Sequence, residues 1–193
     1  KKYLIILNKV LKTKKIKFLQ LRLKRKSENQ ILHALKKISL ICKKNKTIFF
    51  INDYYNDKIL KFCDGIHLGQ KDISKKKVDK ILLKKKFLGI TCHNSKDFVN
   101  KAMVFKPNYI SFGSFFNTKT KKTKYRATVK NIKWFKKNFK LPCAAIGGIK
   151  VKNCRKIIMT DCDMLAVSSG VWDYKDGPVE AVNLFYKILN KEV

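Results

Sequence analysis

Seven short apolar segments, separated by stretches of helical periodicity, restrict what this chain can fold into more than any other feature. They centre on Phe18 and Leu19 and on residues 48–51, 66–68, 87–90, 109–112, 144–146 and 165–167. A helix between two strands carries the chain back to the edge it started from, so the alternation predicts a parallel sheet and an α/β fold. The clearest helix begins at Ser27, where Ser27 and Gln30 form a capping-box pattern and Ile31, Leu35 and Ile38 recur on one face. Pro178 marks the start of the last helix. Residues 3–7 (YLIIL) admit two readings, an eighth strand that would complete a barrel or a first helix.

Composition bounds the remaining possibilities. A chain of 193 residues with 45% hydrophobic content buries one sizeable core, and nothing in it resembles an interdomain linker, so residues 1–193 are expected to form a single domain. Six cysteines, at 42, 63, 92, 143, 154 and 162, show neither a CxxC pair nor zinc-ligand spacing and fall mostly in apolar runs. They are expected to be reduced packing residues of a cytoplasmic protein. Residues 3–7 follow two lysines but are shorter than a signal-peptide core, and no segment approaches membrane-spanning length, so a soluble protein without a membrane partner is expected. Lys1 is not an initiator methionine, which leaves room for a natural start further upstream.

The formal net charge of +33 invites a nucleic-acid reading, because a strongly basic domain attracts polyanions whatever its fold. Two observations weigh against specific recognition. The only arginines are Arg22, Arg25, Arg126 and Arg155, and the aromatic residues lie mainly in core segments. Lysine, isoleucine, asparagine and phenylalanine are abundant together and share AT-rich codons, so much of the basicity reads as nucleotide bias on solvated helix faces.

Acid is scarce in such a chain, so its placement is informative. Asp53 closes the apolar run 47–53, and Asp72 follows the segment 65–71. Successive parallel strands would deliver both carboxylates to one strand-end face. That arrangement suits Mg²⁺, which keeps much of its water and is held by one or two carboxylates together with substrate phosphate oxygens. Aspartate after a strand is also an ordinary turn former, and the residues leave both readings open.

Alternation in QLRLK (20–24) places Gln20, Arg22 and Lys24 on one face and Leu21 and Leu23 on the other. With the leucines under helices, two cations would face a barrel mouth, where an anion would offset their desolvation; a solvated edge strand is the alternative. Three further turns suit phosphate. Residues 114–121 (SFFNTKTK) offer hydroxyls and ammonium groups, residues 146–149 (IGGI) let backbone amides approach a ligand, and Ser168, Ser169 and Gly170 follow the last strand signal. Each has an ordinary use as a turn, a solvated loop or a cap.

In this order, QLRLK (20–24), IND (51–53), DGIHLGQKD (64–72), GITCHN (89–94), TKTK (118–121), AIGGI (145–149) and AVSS (166–169) closely resemble thiamine phosphate synthases. The resemblance runs from about Phe18 to Pro178. It implies a (β/α)8 TIM barrel, with the first strand irregular or lacking. The implied enzyme is a transferase of thiamine biosynthesis. It joins 4-amino-2-methyl-5-hydroxymethylpyrimidine diphosphate to 4-methyl-5-(2-phosphoethyl)thiazole, or its carboxylated form, giving thiamine phosphate and pyrophosphate with the help of Mg²⁺. By the same resemblance, Gln20, Leu21, Arg22, Leu23, Lys24, Asn52, Thr91 and Lys121 form the pyrimidine diphosphate site, with Leu21 and Leu23 on its packing side. Thr118, Lys119, Thr120, Gly148, Ser168 and Ser169 receive the thiazole phosphate, and Asp53 and Asp72 hold the metal. Partners are then small phosphorylated molecules, and a homo-oligomer is left open. No protein nucleophile is needed, so His67 and His93 are expected to pack or hydrogen-bond and His33 to be solvated.

Two positions depart from the family pattern. Thr91 stands where serine is usual, and Ser168 where an aliphatic residue often is. A thiazole tautomerase of the same barrel type is the nearest alternative, but its pattern typically lacks the metal carboxylates and the last lysine of the pyrophosphate motif. Here Asp53, Asp72 and Lys24 are all present, which favours the synthase. A noncatalytic basic protein that binds nucleic acid is the alternative of a different class.

Overall fold

A computed structural model describes residues 2–54, 56–118 and 124–191. The chain divides into two compact units, Lys1–Gly89 and Ile90–Val193.

The first unit opens with helix α1 (Lys2–Lys12), which decides between the two readings of residues 3–7. The apolar run continues in Val10 and Leu11, and the buried residues Leu7, Val10 and Leu11 share one face at helical spacing, so the period is that of a helix rather than a strand. Strand β1 (Phe18–Leu21), helix α2 (Glu28–Asn45), β2 (Ile48–Asn52), the single turn α3 (Asp57–Leu60), β3 (Gly65–Leu68) and α4 (Lys75–Leu83) follow. β4 (Phe87–His93) begins in this unit.

Ser27 caps α2 through the capping box expected from the sequence, and Ile31, Leu35 and Ile38 are buried. α2 packs on β2, and α1 packs on α2. The Asn45 amide donates to Asn8 Oδ1 across the two helices at 3.1 Å.

β1, β2 and β3 pair in parallel, with Gln20 opposite Phe50, Phe50 opposite Gly65, and Asn52 opposite His67. One face therefore carries Gln20, Phe50, Asn52, Gly65 and His67, and the other carries Leu21, Ile51 and Ile66. Gly65 is required on the first face, because the Phe50 ring occupies the space its Cβ would take.

The second unit holds the end of β4, then α5 (Lys96–Met103), β5 (Tyr109–Gly113), α6 (Val129–Asn138), β6 (Cys143–Ile146), a 3₁₀ turn (Val151–Asn153), α7 (Arg155–Ile158), β7 (Met164–Ala166), α8 (Ser169–Trp172) and α9 (Pro178–Leu189). β5, β6 and β7 are parallel, with Phe112 opposite Ala145 and Ala144 opposite Met164. Phe112 and Phe135 meet edge to face at 5.6 Å, which seats α6 on β5. Pro178 occupies the first turn of α9, where its missing N–H costs nothing.

All seven strands expected from the sequence are present, and the fold is α/β. Seven strands occur among the described residues, so the eight-stranded closure is not reached by these elements. β1 also ends at Leu21 rather than continuing through Lys24. Burial nonetheless keeps alternating beyond it: Leu21 and Leu23 are half-buried, while Gln20, Arg22 and Lys24 are exposed. No helix among the described residues is long and apolar enough to cross a membrane.

His67 is fully enclosed in β3, and burial lowers its pKa from 6.5 to about 4, with nearby Asp53 opposing the shift and Arg22 adding to it. The imidazole is thus neutral in the folded state and must charge on unfolding between those two values. Stability from this group is complete above about pH 6.5 and falls by about 3 kcal/mol as pH drops toward 4. Urea unfolding at pH 7.5 and 4.5 should show a larger acid-side loss for the native chain than for His67→Asn. Equal losses in the two proteins would show that His67 already titrates normally.

Candidate active site

In the first unit the loops that follow β1, β2 and β3 carry the polar residues singled out in the sequence. Gln20 Nε2 donates to Asn52 Oδ1, so an exposed amide on β1 and a buried one on β2 orient each other at the strand ends. Tyr54 Oη donates to the Leu23 carbonyl at 3.2 Å and holds the loop after β1 against the loop after β2.

Asp53 adopts a left-handed backbone (φ 68°), a conformation that aspartate tolerates better than most residues. Its N–H donates to the His67 carbonyl at 2.9 Å, and its Oδ1 accepts from the Gly69 N–H at 3.4 Å. Asp72 N–H donates to the Gly69 carbonyl at 2.9 Å, closing a turn that folds the second carboxylate back toward the first. A Cβ on Gly69 would stand 3.0 Å from Asp72 Oδ2 and 3.9 Å from Asp53 Oδ1. Both carboxylates thus flank one point, and glycine keeps that point clear.

No group of three or more His, Cys, Asp or Glu side chains among the described residues forms a metal cage. A pair of carboxylates with room beside it suits a hard, oxygen-seeking ion that completes its shell with water and phosphate, and does not suit zinc. The exposed cations Arg22 and Lys24 lie on the same loop cluster, and Arg22 is close enough to influence His67.

In the second unit the loops after β5, β6 and β7 interlock. Phe115 N–H donates to the Ile146 carbonyl at 3.1 Å and Phe116 N–H to the Gly147 carbonyl at 3.0 Å. Gly147 (φ 92°) and Gly148 (φ 67°) both need the left-handed region, and a Cβ on Gly148 would fall 2.8 Å from the Phe116 carbonyl carbon. Asn153 clamps the turn from below: its Nδ2 donates to the Gly148 carbonyl at 3.1 Å, and its Oδ1 accepts from Lys150 N–H at 2.8 Å. A side chain at Gly170 would strike the Ile149 carbonyl, so α8 seats directly on the turn after β6.

Ser168 is exposed and its side chain makes no cap bond to α8, while Ser169 is half-buried in the first turn. Thr118 is half-buried; Lys119, Thr120 and Lys121 lie outside the described residues. Thr91, on β4, accepts from Ser111 Oγ at 3.3 Å.

The histidines take the roles expected of them. His67 is buried and neutral, His93 stacks on Tyr125 at 4.2 Å and meets Phe98 edge-on, and His33 is exposed. Three supporting residues were not read from the sequence: Tyr54, Asn153 and Arg126, the last donating to Asn117 Oδ1 in the loop after β5. Tyr54 and Asn153 bond to backbone carbonyls, which leaves no side-chain pattern to find. Arg126 was visible only as one of four arginines.

Comparison with known proteins identifies the family. A family model described as thiamine monophosphate synthase matches residues 1–171. The thiamine-phosphate synthase of Pelagibacter ubique is 45% identical over 177 residues, covering 90% of this chain and 84% of the relative. That of Rhodospirillum centenum is 32% identical over 170 residues, covering 88% and 82%. Among solved structures, a thiamine phosphate pyrophosphorylase from Pyrococcus furiosus superposes with a TM-score of 0.81 at 21% identity, covering 99% of this chain and 93% of that one, and so shares the fold. With most of its length matched by the family and by curated relatives above 30% identity, the chain belongs to the thiamine monophosphate synthase family.

Proposed function

We propose that the chain is a transferase that joins the hydroxymethylpyrimidine diphosphate to the thiazole phosphate, or its carboxylated form, and releases pyrophosphate. The observation that carries this reading is the convergence of Asp53 and Asp72 on Gly69 beside the Gln20–Asn52 pair and Arg22, within a matched member of the family. Gln20 and Asn52 orient the pyrimidine end, and Arg22, Lys24 and Lys121 bind the diphosphate. Leu21 and Leu23 keep that loop anchored, and Thr91 contributes a hydroxyl to the pyrimidine. Asp53 and Asp72 would hold Mg²⁺, which would supply positive charge to offset that of the departing pyrophosphate.

The reaction needs no base from the protein, because the thiazole nitrogen attacks the pyrimidine methylene with its own lone pair as pyrophosphate leaves. The chain's task is to fix the two substrates in line and to stabilise the charge that leaves. Gly148, Ser168 and Ser169, with Thr118, Lys119 and Thr120, take the thiazole phosphate. Backbone N–H groups at the interlocked turns do much of that work, which is why Ser168 in place of an aliphatic residue is tolerated. We further assign the strands to a (β/α)8-type barrel and the protein to the cytoplasm.

Pyrophosphate release with both substrates present, measured across a Mg²⁺ titration, tests the reading. Asp53→Asn and Asp72→Asn should each lower turnover on the order of 100-fold, since an amide keeps the shape and loses the charge. Unchanged rates and an unchanged metal requirement in both variants would remove the carboxylate pair from the mechanism.

Gly69→Ala is a milder probe, because it leaves both acids and adds a methyl group 3.0 Å from Asp72 Oδ2. It should raise the Mg²⁺ concentration for half-maximal rate several-fold with little loss of thermal stability. An identical Mg²⁺ curve would mean that Asp72 does not contact the ion.

At the other substrate, Gly148→Ala should raise the KM for the thiazole phosphate by roughly tenfold, about 1.4 kcal/mol, while moving the pyrimidine KM much less. Its Cβ displaces the backbone of residues 116 and 117, which faces the turn. Equal increases in both KM values would place the thiazole phosphate elsewhere.

A further inference from the structure

All six cysteines are free thiols, and Cys162 alone is not fully buried. Cys63, Cys92 and Cys154 point their sulfurs at nearby helix carbonyls, and burial pushes Cys42, Cys63 and Cys92 up to about 12, so they stay protonated and inert.

Cys143 and Cys162 differ from the other four because they meet. Cys143 opens β6, and Cys162 lies two residues ahead of β7. The parallel register sets Ala144 opposite Met164, which brings the two cysteine backbones alongside. Cys162 Sγ lies 3.7 Å from the Cys143 carbonyl and 3.3 Å from the Met164 carbonyl, and the two thiols are within hydrogen-bonding reach of each other. Asp163 pins the pair in place: its Oδ2 accepts the Cys143 N–H at 2.8 Å and pairs with Lys136 at 3.0 Å.

The two sulfurs are also unequal. The hydrogen bond from the Cys143 thiol favours the Cys162 thiolate and lowers its pKa against the opposing effect of burial, with the Met164 and Ala145 N–H groups assisting. The same bond, with burial, raises Cys143.

We propose that Cys143 and Cys162 are a reversible redox site, in which a hydroperoxide oxidises the half-exposed Cys162 and the buried Cys143 resolves it to an intramolecular disulfide. The Cys162 thiolate attacks one oxygen of hydrogen peroxide and the O–O bond breaks, so that this OH forms the Cys162 sulfenic acid while the other oxygen leaves as hydroxide and takes up a proton as water. Cys143 then loses its proton, its sulfur attacks the Cys162 sulfur, the S–O bond breaks, and water departs. Two thiols lose two electrons and two protons in all, and the peroxide becomes two waters. A dithiol reverses the change, as a reducing compartment requires of a transient disulfide. Cys143 begins β6 and Cys162 precedes β7, whereas Gly148 and Ser168 follow those strands, so oxidation occurs at the strand ends away from the phosphate loops.

The test is to expose the native full chain to hydrogen peroxide, block remaining thiols with an alkylating agent, digest with trypsin and analyse by mass spectrometry. The expected product links peptides 141–150 and 157–175 with the loss of two hydrogens and disappears after dithiothreitol. Cys42, Cys63, Cys92 and Cys154 should remain alkylatable once the protein is unfolded. In Cys143→Ser, Cys162 should accumulate as a sulfenic acid trapped by dimedone; in Cys162→Ser, which alters a half-exposed position and should fold normally, Cys143 should stay reduced. Absence of the linked peptide from peroxide-treated native protein, or links among other cysteines forming as fast, would overturn the proposal. So would oxidation of Cys143 in Cys162→Ser.

Discussion

The ladders of β1, β2 and β3 in the first unit and of β5, β6 and β7 in the second are parallel, and the placement of the functional groups depends on that constraint. Parallel strands must be joined by a return segment, so within one unit all strands end at the same edge and the polar residues leaving them collect there. In the first unit these are the residues beyond Leu21, Asn52 and Leu68; in the second they follow Gly113, Ile146 and Ala166. A buried ladder tolerates few polar groups, and those present are handled individually. Asn52 accepts from Gln20, and His67 stays uncharged.

The opposite edge is closed by carboxylates of another kind. Asp64, just before β3, accepts the Phe49 N–H through Oδ2 at 2.8 Å. Asp163, just before β7, accepts the Cys143 N–H at the same distance. Each bonds to the start of the preceding strand and supplies an acceptor where the ladder begins. Burial disfavours the Asp163 charge, yet that N–H and Lys136 together hold its carboxyl below the usual range. Aspartates before strands therefore fasten the sheet, and aspartates after strands line the loops. The segment 64–72 holds one of each, Asp64 and Asp72.

Periodicity was legible wherever the burial that causes it was regular. The seven strands, the Ser27 capping box and Pro178 at the last helix all came from local patterns that tertiary packing did not override. Residues 3–7 did not resolve, because five apolar residues in a row fit either period and only Val10 and Leu11 beyond them settle the choice. The end of β1 was misjudged for a related reason. Alternation of burial persists through Lys24, but the ladder stops at Leu21, and side-chain pattern does not report backbone pairing. Asp53, Asp72 and Gly148 stood out by their placement after apolar runs and strand signals; Tyr54 and Asn153 did not. These two act on main-chain carbonyls, which leave no complementary residue in the sequence.

The net charge of +33 becomes intelligible beside this scarcity of acid. The ion pairs found among the described residues draw on Glu28, Asp57, Asp163 and Asp176, and with 46 basic residues against 13 acidic ones the carboxylates are too few to match the cations one to one. Such a surface repels itself at low salt and attracts any phosphorylated molecule over about a Debye length, roughly 8 Å at physiological ionic strength. That attraction is unselective. It draws a diphosphate toward the fold but does not orient it, and at the loops of the first unit the diphosphate would meet two carboxylates that repel it. Under the proposed reading, the carboxylates favour only an anion that arrives with a divalent cation, and so turn a general attraction for phosphate into a preference for the metal-bound diphosphate. By the same reading, the second unit's turns would need no such filter, because backbone N–H groups and hydroxyls suit a monophosphate without a metal. Two phosphorylated substrates in the same positive field can then be told apart by whether acid lies where their phosphates must bind.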